Sequence, residues 1–114
     1  MDGTFSEVKL FQVKPDKLAE FEKLISQIQS EQKSQPGCLY IRYMKRFYVL
    51  DELKPRQLTR IVKCVKYLSY WEFDSEENYA AAIRWFFDAH SKALFKLLIM
   101  PFDIYCGNAI ADDA

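Results

Sequence analysis

The chain reads as an α+β domain with element order β-α-β-β-α-β. This is a ferredoxin-like split βαβ arrangement, with a four-stranded antiparallel sheet and two helices on one face. Three observations predict it. Apolar residues change spacing from every second residue to every third or fourth and back, twice along the chain. Residues 70–79, Tyr70-Trp71-Glu72-Phe73-Asp74-Ser75-Glu76-Glu77-Asn78-Tyr79, join an aromatic strand end directly to the mouth of a helix. The candidate strands also carry apolar side chains at both parities, so both faces of the sheet need cover.

The elements follow in order. Phe5 to Val13 is a first strand, and Pro15-Asp16 opens a helix whose apolar stripe is Leu18, Phe21, Leu24, Ile25 and Ile28. Glu20, Lys23, Gln27 and Glu31 make its solvated side, and Pro36-Gly37 stops it. A second strand starts at Cys38 and runs through Met44, with a possible extension to Leu50. Asp51 to Thr59 reads as a polar connection around Pro55, and Ile61 to Phe73 as a long third strand. Asp74 or Ser75 can cap the second helix, and Glu76 and Glu77 place negative charge where the helix dipole favours it. That helix carries Tyr79, Ile83, Phe86, His90, Leu94 and Leu97 along one side until Pro101. Phe102 to Ile110, broken by Gly107, is the last strand.

Composition narrows the class. The 114 residues suit one domain, 1–114, with a modest core, and 50% hydrophobic content argues against disorder. Zero net charge gives no global sign of a nucleic-acid or membrane-surface partner. The N-terminus lacks a basic segment followed by an apolar one, and Ala93 to Phe102 is too short to span a bilayer. Cys38, Cys64 and Cys106 form no CxxC and read as small apolar strand residues in a reducing compartment. A cytoplasmic protein is the expectation.

Both parities of the third strand are apolar: Ile61, Val65, Tyr67, Trp71 and Phe73 against Val62, Cys64, Leu68 and Tyr70. The second strand sets Leu39, Ile41 and Phe47 against Cys38, Tyr40, Met44 and Tyr48. Each large apolar side chain is worth roughly 1.5–3 kcal/mol when buried, so a whole face left in water forfeits several times that. A second copy laid face to face is the simplest remedy, and a homodimer is expected.

Four pieces in this order resemble the antibiotic biosynthesis monooxygenase family. They are a first strand leading to Val13-Lys14-Pro15-Asp16-Lys17, the amphipathic helix, the turn Gln35-Pro36-Gly37-Cys38-Leu39, and the junction Trp71 to Tyr79. The resemblance implies a dimeric α/β barrel with a ligand cavity between each sheet and its helices. It also implies activities that range over cofactor-free oxygenation of phenolic or quinone-like compounds, haem degradation and isomerisation. The haem-degrading branch uses an Asn in the first strand, which Lys9-Leu10-Phe11-Gln12-Val13 lacks. The segment 45–60 is longer than the family's usual connection.

The candidate catalytic residues are His90 and Trp71. His90 is the one histidine, and imidazole takes and returns a proton near neutrality, as a substrate anion formed for reaction with oxygen requires. A half-buried, hydrogen-bonded helix histidine is the plainer reading. Trp71 resembles the family's pocket Trp, able to orient an oxygen-bearing substrate and stack on a flat ring, or simply to fill the core. Tyr67, Val65, Ile83 and Phe86 are the expected substrate wall, suited to a small aromatic compound. Residues 42–66 hold eight basic side chains against two acids, a solvated rim or a lure for an anion. There is no GxGxxG, P-loop or GxSxG, and no metal site is expected from a single His and scattered Cys. The leading expectation is a monooxygenase without a cofactor, acting on an aromatic or enolisable metabolite. The alternatives are a non-catalytic ligand-binding or stress-response barrel and a haem-binding relative.

Overall fold

The computed structural model describes residues 4–60 and 63–113. The first strand forms with its expected bounds as β1 (Phe5–Val13), in the interior of the main sheet. A short 3-10 turn, Pro15–Lys17, leads into α1 (Leu18–Lys33), which buries Phe21, Ile25, Ile28 and Gln32. Strand β2 is Cys38–Lys45, with a bulge between Cys38 and Tyr40 that turns Leu39 out to solvent.

The polar connection expected over 51–59 is instead a β-hairpin. Strand β3 (Tyr48–Asp51) pairs with β4 (Lys54–Gln57) as a separate two-stranded sheet. Its turn residues Glu52 and Leu53 both take positive φ, 52° and 63°, the mirror-image turn that suits the twist of a hairpin. Pro55 is tolerated because β4 is an edge strand, where a missing N–H donor does not break a ladder.

The expected third strand starts later than the sequence suggested. As β5 it covers Val65–Phe73, with Cys64 just before it; Ile61 and Val62 lie outside the described residues. Helix α2 spans Glu76–Phe95 and is capped by Ser75, whose Oγ accepts from the Asn78 N–H at 3.1 Å. It ends well before Pro101, because the chain then runs antiparallel beside the end of β1, Leu98 pairing with Val13. There Leu97 and Leu98 are buried, the Leu97 carbonyl accepts from Lys14 N, and Ile99 N donates to the Gln12 carbonyl. Strand β6 (Asp103–Gly107) closes the sheet, shorter than the expected 102–110.

The sheet order is β2-β5-β1-β6 with every pairing antiparallel, as the ferredoxin-like pattern demands. Burial alternates strictly along the two inner strands. Glu7, Lys9, Phe11 and Val13 of β1, and Val65, Tyr67, Ser69, Trp71 and Phe73 of β5, face the helices and are buried. The core is aromatic: Phe11 lies 5.4 Å from Phe21 and 5.3 Å from Phe102, and Trp71 4.8 Å from Phe73, ring centre to ring centre. The opposite face carries Val8, Leu10, Leu68 and Tyr70 at its centre and the exposed Met44 and Tyr105 toward its edges. Among the described residues no helix is long and apolar enough to cross a membrane.

Gly37 fixes how α1 returns to the sheet. Its φ is +80°, its carbonyl accepts from Asp74 N at 2.9 Å, and a Cβ there would lie 2.4 Å from Asn78 Nδ2 and 2.5 Å from Asp74 Oδ1. The turn thus meets the start of α2, where Asn78 Nδ2 donates to Asp74 Oδ1 at 2.8 Å. Gly37→Ala is expected to lower stability by about 1–3 kcal/mol, from left-handed backbone strain and the displaced Asn78–Asp74 pair. Urea denaturation measures it, and an unchanged midpoint would show that the turn relaxes freely.

Candidate active site

Two neighbouring rows cross the helix-facing side of the sheet. One runs Cys106, Glu7, Trp71, Ile41; the next runs Ile104, Lys9, Ser69, Tyr43. Glu7 and Lys9 stand two residues apart on β1, so both point toward the helices. Both are fully buried, and Lys9 Nζ donates to Glu7 Oε1 at 2.7 Å and Oε2 at 2.8 Å. The Tyr79 hydroxyl, from the first turns of α2, donates to Glu7 Oε2 at 2.6 Å, and Cys106 Sγ approaches that hydroxyl at 3.5 Å.

The ammonium lies in an aromatic cage. Lys9 Nζ is 4.1 Å from the centre of the Phe86 ring and 4.9 Å from that of Trp71. Ring faces attract a cation and replace part of the water it has lost. Burial nonetheless pulls the Lys9 amine below the ordinary lysine range, while the Glu7 charge and hydrogen bond work the other way. Burial and the Glu7 carboxylate push the Tyr79 and Tyr43 hydroxyls well above the usual phenol range.

Among the described residues three buried donors have no acceptor: Trp71 Nε1, Ser69 Oγ and Gln32 Nε2. Gln32 comes from α1, where its Oε1 accepts from the Tyr43 hydroxyl at 2.6 Å. An unpaired buried donor costs about 1–3 kcal/mol, and native structures hold few of them. Here they cluster on one face beside a buried ion pair. Trp71 itself is fully buried, packed against Phe73, Tyr79 and Phe86.

The residues expected from sequence are distributed over the molecule. Trp71 and Phe86 meet at the Lys9 cage, their rings 6.1 Å apart. Tyr67 faces the helices but lines a different cleft, of about 200 Å³, between α1 and β2, where its hydroxyl donates to Glu22 and Lys45 Nζ pairs with Glu22 at 3.0 Å. That hydrogen bond and Lys45 hold the Glu22 carboxyl below its usual range; burial and Glu22 raise Tyr67. Val65 lines a cavity at the root of the hairpin. Ile83 lines an open groove of about 500 Å³ with Phe5, Tyr79, Ala80, Arg84 and Phe87.

His90 joins the helices. Its Nε2 lies 2.8 Å from Glu31 Oε1 of α1, and it stands edge-on to Trp85 with ring centres 5.3 Å apart. Phe86 touches both His90 and Trp71, yet the imidazole's polar contact is with α1 rather than the Lys9 cage. The sequence reading passed over Glu7 and Lys9. The available signal was a pair of opposite charges at the same parity as Phe11 and Val13. Among the described residues no group of three His, Cys, Asp or Glu side chains could hold a metal ion.

An antiparallel four-stranded sheet covered on one face by two helices, with a polar cluster enclosed between the layers, defines a ferredoxin-like α+β protein. Residues 4–59 match the sequence model of the antibiotic biosynthesis monooxygenase family. Solved structures carry the likeness over nearly the whole chain. A candidate antibiotic biosynthesis monooxygenase from Caulobacter crescentus CB15 superposes with a TM-score of 0.70 at 21% identity, covering 96% of this chain and 92% of its own. SnoaB, a cofactor-independent oxygenase from Streptomyces nogalater, gives 0.68 at 18% identity, covering 96% and 95%. A dimeric ferredoxin-like protein from an uncultured marine organism gives 0.68 at 12% identity, covering 98% and 100%. No curated protein sequence matches significantly. At these identities the superpositions establish a shared fold.

Proposed function

We propose that the protein is a cofactor-independent monooxygenase acting on a small phenolic or enolisable aromatic compound, bound between sheet and helices beside Trp71. The observation that carries this reading is the cluster of unpaired buried donors, Trp71 Nε1 and Ser69 Oγ foremost, next to the Glu7–Lys9 pair. The family-model match over residues 4–59 and the oxygenase among the structural neighbours support it.

The chemistry runs as follows. Glu7 removes a proton from an acidic C–H of the substrate, and Lys9 holds the resulting enolate or phenolate by its charge. The anion passes an electron to dioxygen, and the two radicals join as a carbon-bound peroxide. Protonation and loss of water leave a carbonyl at that carbon. One oxygen atom stays in the product and the other departs as water; the substrate supplies both electrons. Tyr79 both lines the outer groove and donates to Glu7, so a swing of its ring opens the route from solvent. His90 serves to tie α2 to α1. Pairing of the apolar outer sheet faces of two copies completes the molecule as a homodimer.

Oxygen uptake with a panel of hydroquinones and anthrone-like phenols tests the reading. Trp71→Phe keeps an aromatic wall but removes the N–H and is expected to lower kcat/KM by about 10²-fold, whereas His90→Ala keeps most activity. Equal losses in both variants would return the proton chemistry to His90. Saturable binding of the phenols without oxygen uptake would leave a binding protein.

A further inference from the structure

We propose a second, separate binding site at the root of the β3–β4 hairpin, for a small organic anion with a compact apolar body, such as an aromatic carboxylate. A cavity of about 200 Å³ lies there. Leu18, Phe47, Leu58 and Val65 give it an apolar floor, and Lys45, Arg46, Arg60 and Lys66 also line it. Four of the eight basic residues of segment 42–66 meet here, a feature the proposed oxygenase site leaves unused.

The charges are available. Lys45 pairs with Glu22 and lies 5.6 Å from the Phe47 ring centre, but among the described residues no carboxylate is in ion-pair contact with Arg46, Arg60 or Lys66. The cavity also meets the start of α1: Leu18, its first residue, is part of the lining, and the helix begins without a side-chain cap. Several cations gathered over apolar residues repel one another unless an anion joins them, and an apolar body on that anion gains from the floor.

The site also has a mechanical place in the fold. Phe47 and Leu58 are joined across the hairpin root by a backbone hydrogen bond of 2.8 Å, and Arg46 N donates to the Lys66 carbonyl at 2.8 Å. A ligand held there therefore braces the hairpin against the main sheet.

Benzoate, benzyl alcohol and inorganic phosphate serve as probes, titrated into the full chain and followed by amide chemical shifts and by hydrogen exchange. Benzoate is expected to bind saturably, to shift Phe47, Leu58 and Thr59, and to slow exchange within Tyr48–Gln57. Benzyl alcohol, which lacks the charge, and phosphate, which lacks the body, bind at least about tenfold more weakly. Arg60→Gln and Arg46→Gln each weaken benzoate about tenfold, whereas Lys54→Gln, out on the hairpin, does not. Saturable shifts at Phe47, Leu58 and Thr59, rather than at the Trp71 indole, separate this site from the proposed oxygenase site. Equal binding of benzyl alcohol, full competition by phosphate, or unaltered affinity in both arginine variants would overturn the proposal.

Discussion

Replacing Lys9 by Met is expected to destabilise the protein by about 3–5 kcal/mol, and replacing Glu7 and Lys9 together by Leu and Met to cost far less. The single change strands the Glu7 carboxylate in the core with the Tyr79 hydroxyl as its remaining strong partner. The double change removes both charges from a site already walled by Trp71 and Phe86, where apolar side chains pack well. Replacing a buried pair by apolar residues is often neutral or stabilising by about 1–4 kcal/mol. Urea denaturation of both variants measures the contrast. The double variant carries a second message, because it is expected to be folded and devoid of oxygenase activity. A pair that contributes little net stability yet persists in the core is more readily understood as part of a site than as scaffold. Equal destabilisation by the two variants would show that the pair is structural.

A steep loss of stability above about pH 10 is the second large effect. The hydroxyls of Tyr43, Tyr67 and Tyr79 are all held above the usual phenol range, chiefly by burial. In the unfolded chain they release protons near pH 10, while the folded protein keeps them. Above that pH the native state therefore binds more protons, and stability falls by about 1.4 kcal/mol per pH unit for each group, or about 4 for the three together. Lys9 acts in the opposite sense at lower pH. Its lowered folded value lets stability rise with pH until the unfolded lysine value of 10.5 is passed, after which it contributes no further change. Tyrosinate absorbance and circular dichroism, recorded in one titration, test this. Three of the seven tyrosines should ionise only as the ellipticity is lost. Complete tyrosine ionisation in a still-folded protein would contradict the burial argument.

The legible parts of the fold are those where one physical signal acts alone. The first strand and the capped junction at Ser75 emerged as read, because alternation and cap chemistry are local. The hairpin was hidden because its turn uses Glu52 and Leu53 at positive φ, with neither Gly nor Asn to announce it. The end of α2 was misplaced because Leu97 continues the helical stripe, whereas it is buried where the chain pairs beside the end of β1. The site was harder for a related reason. In the middle of β1 the apolar residues are Val8 and Leu10, which invites placing Glu7 and Lys9 in solvent even though Phe11 and Val13 share the parity of the charges. The structure does the reverse, turning Val8 and Leu10 to the outer face and enclosing the charges. Nothing in a single strand tells which of two partly apolar faces lies under the helices. His90 shows the same limit: it follows the stripe of α2, but that stripe also borders α1, and Glu31 captures the imidazole.

The two tryptophans make the most direct test possible by heteronuclear NMR. The chain has one indole N–H without a partner in the core, at Trp71, and a second tryptophan, Trp85, beside His90 on the α2 surface that meets α1. Titration of a flat phenolic ligand should move the Trp71 indole resonance downfield as it gains an acceptor, while that of Trp85 stays in place. A ligand that binds tightly and leaves the Trp71 resonance where it was would mean that the enclosed Glu7–Lys9 cluster is not the binding site.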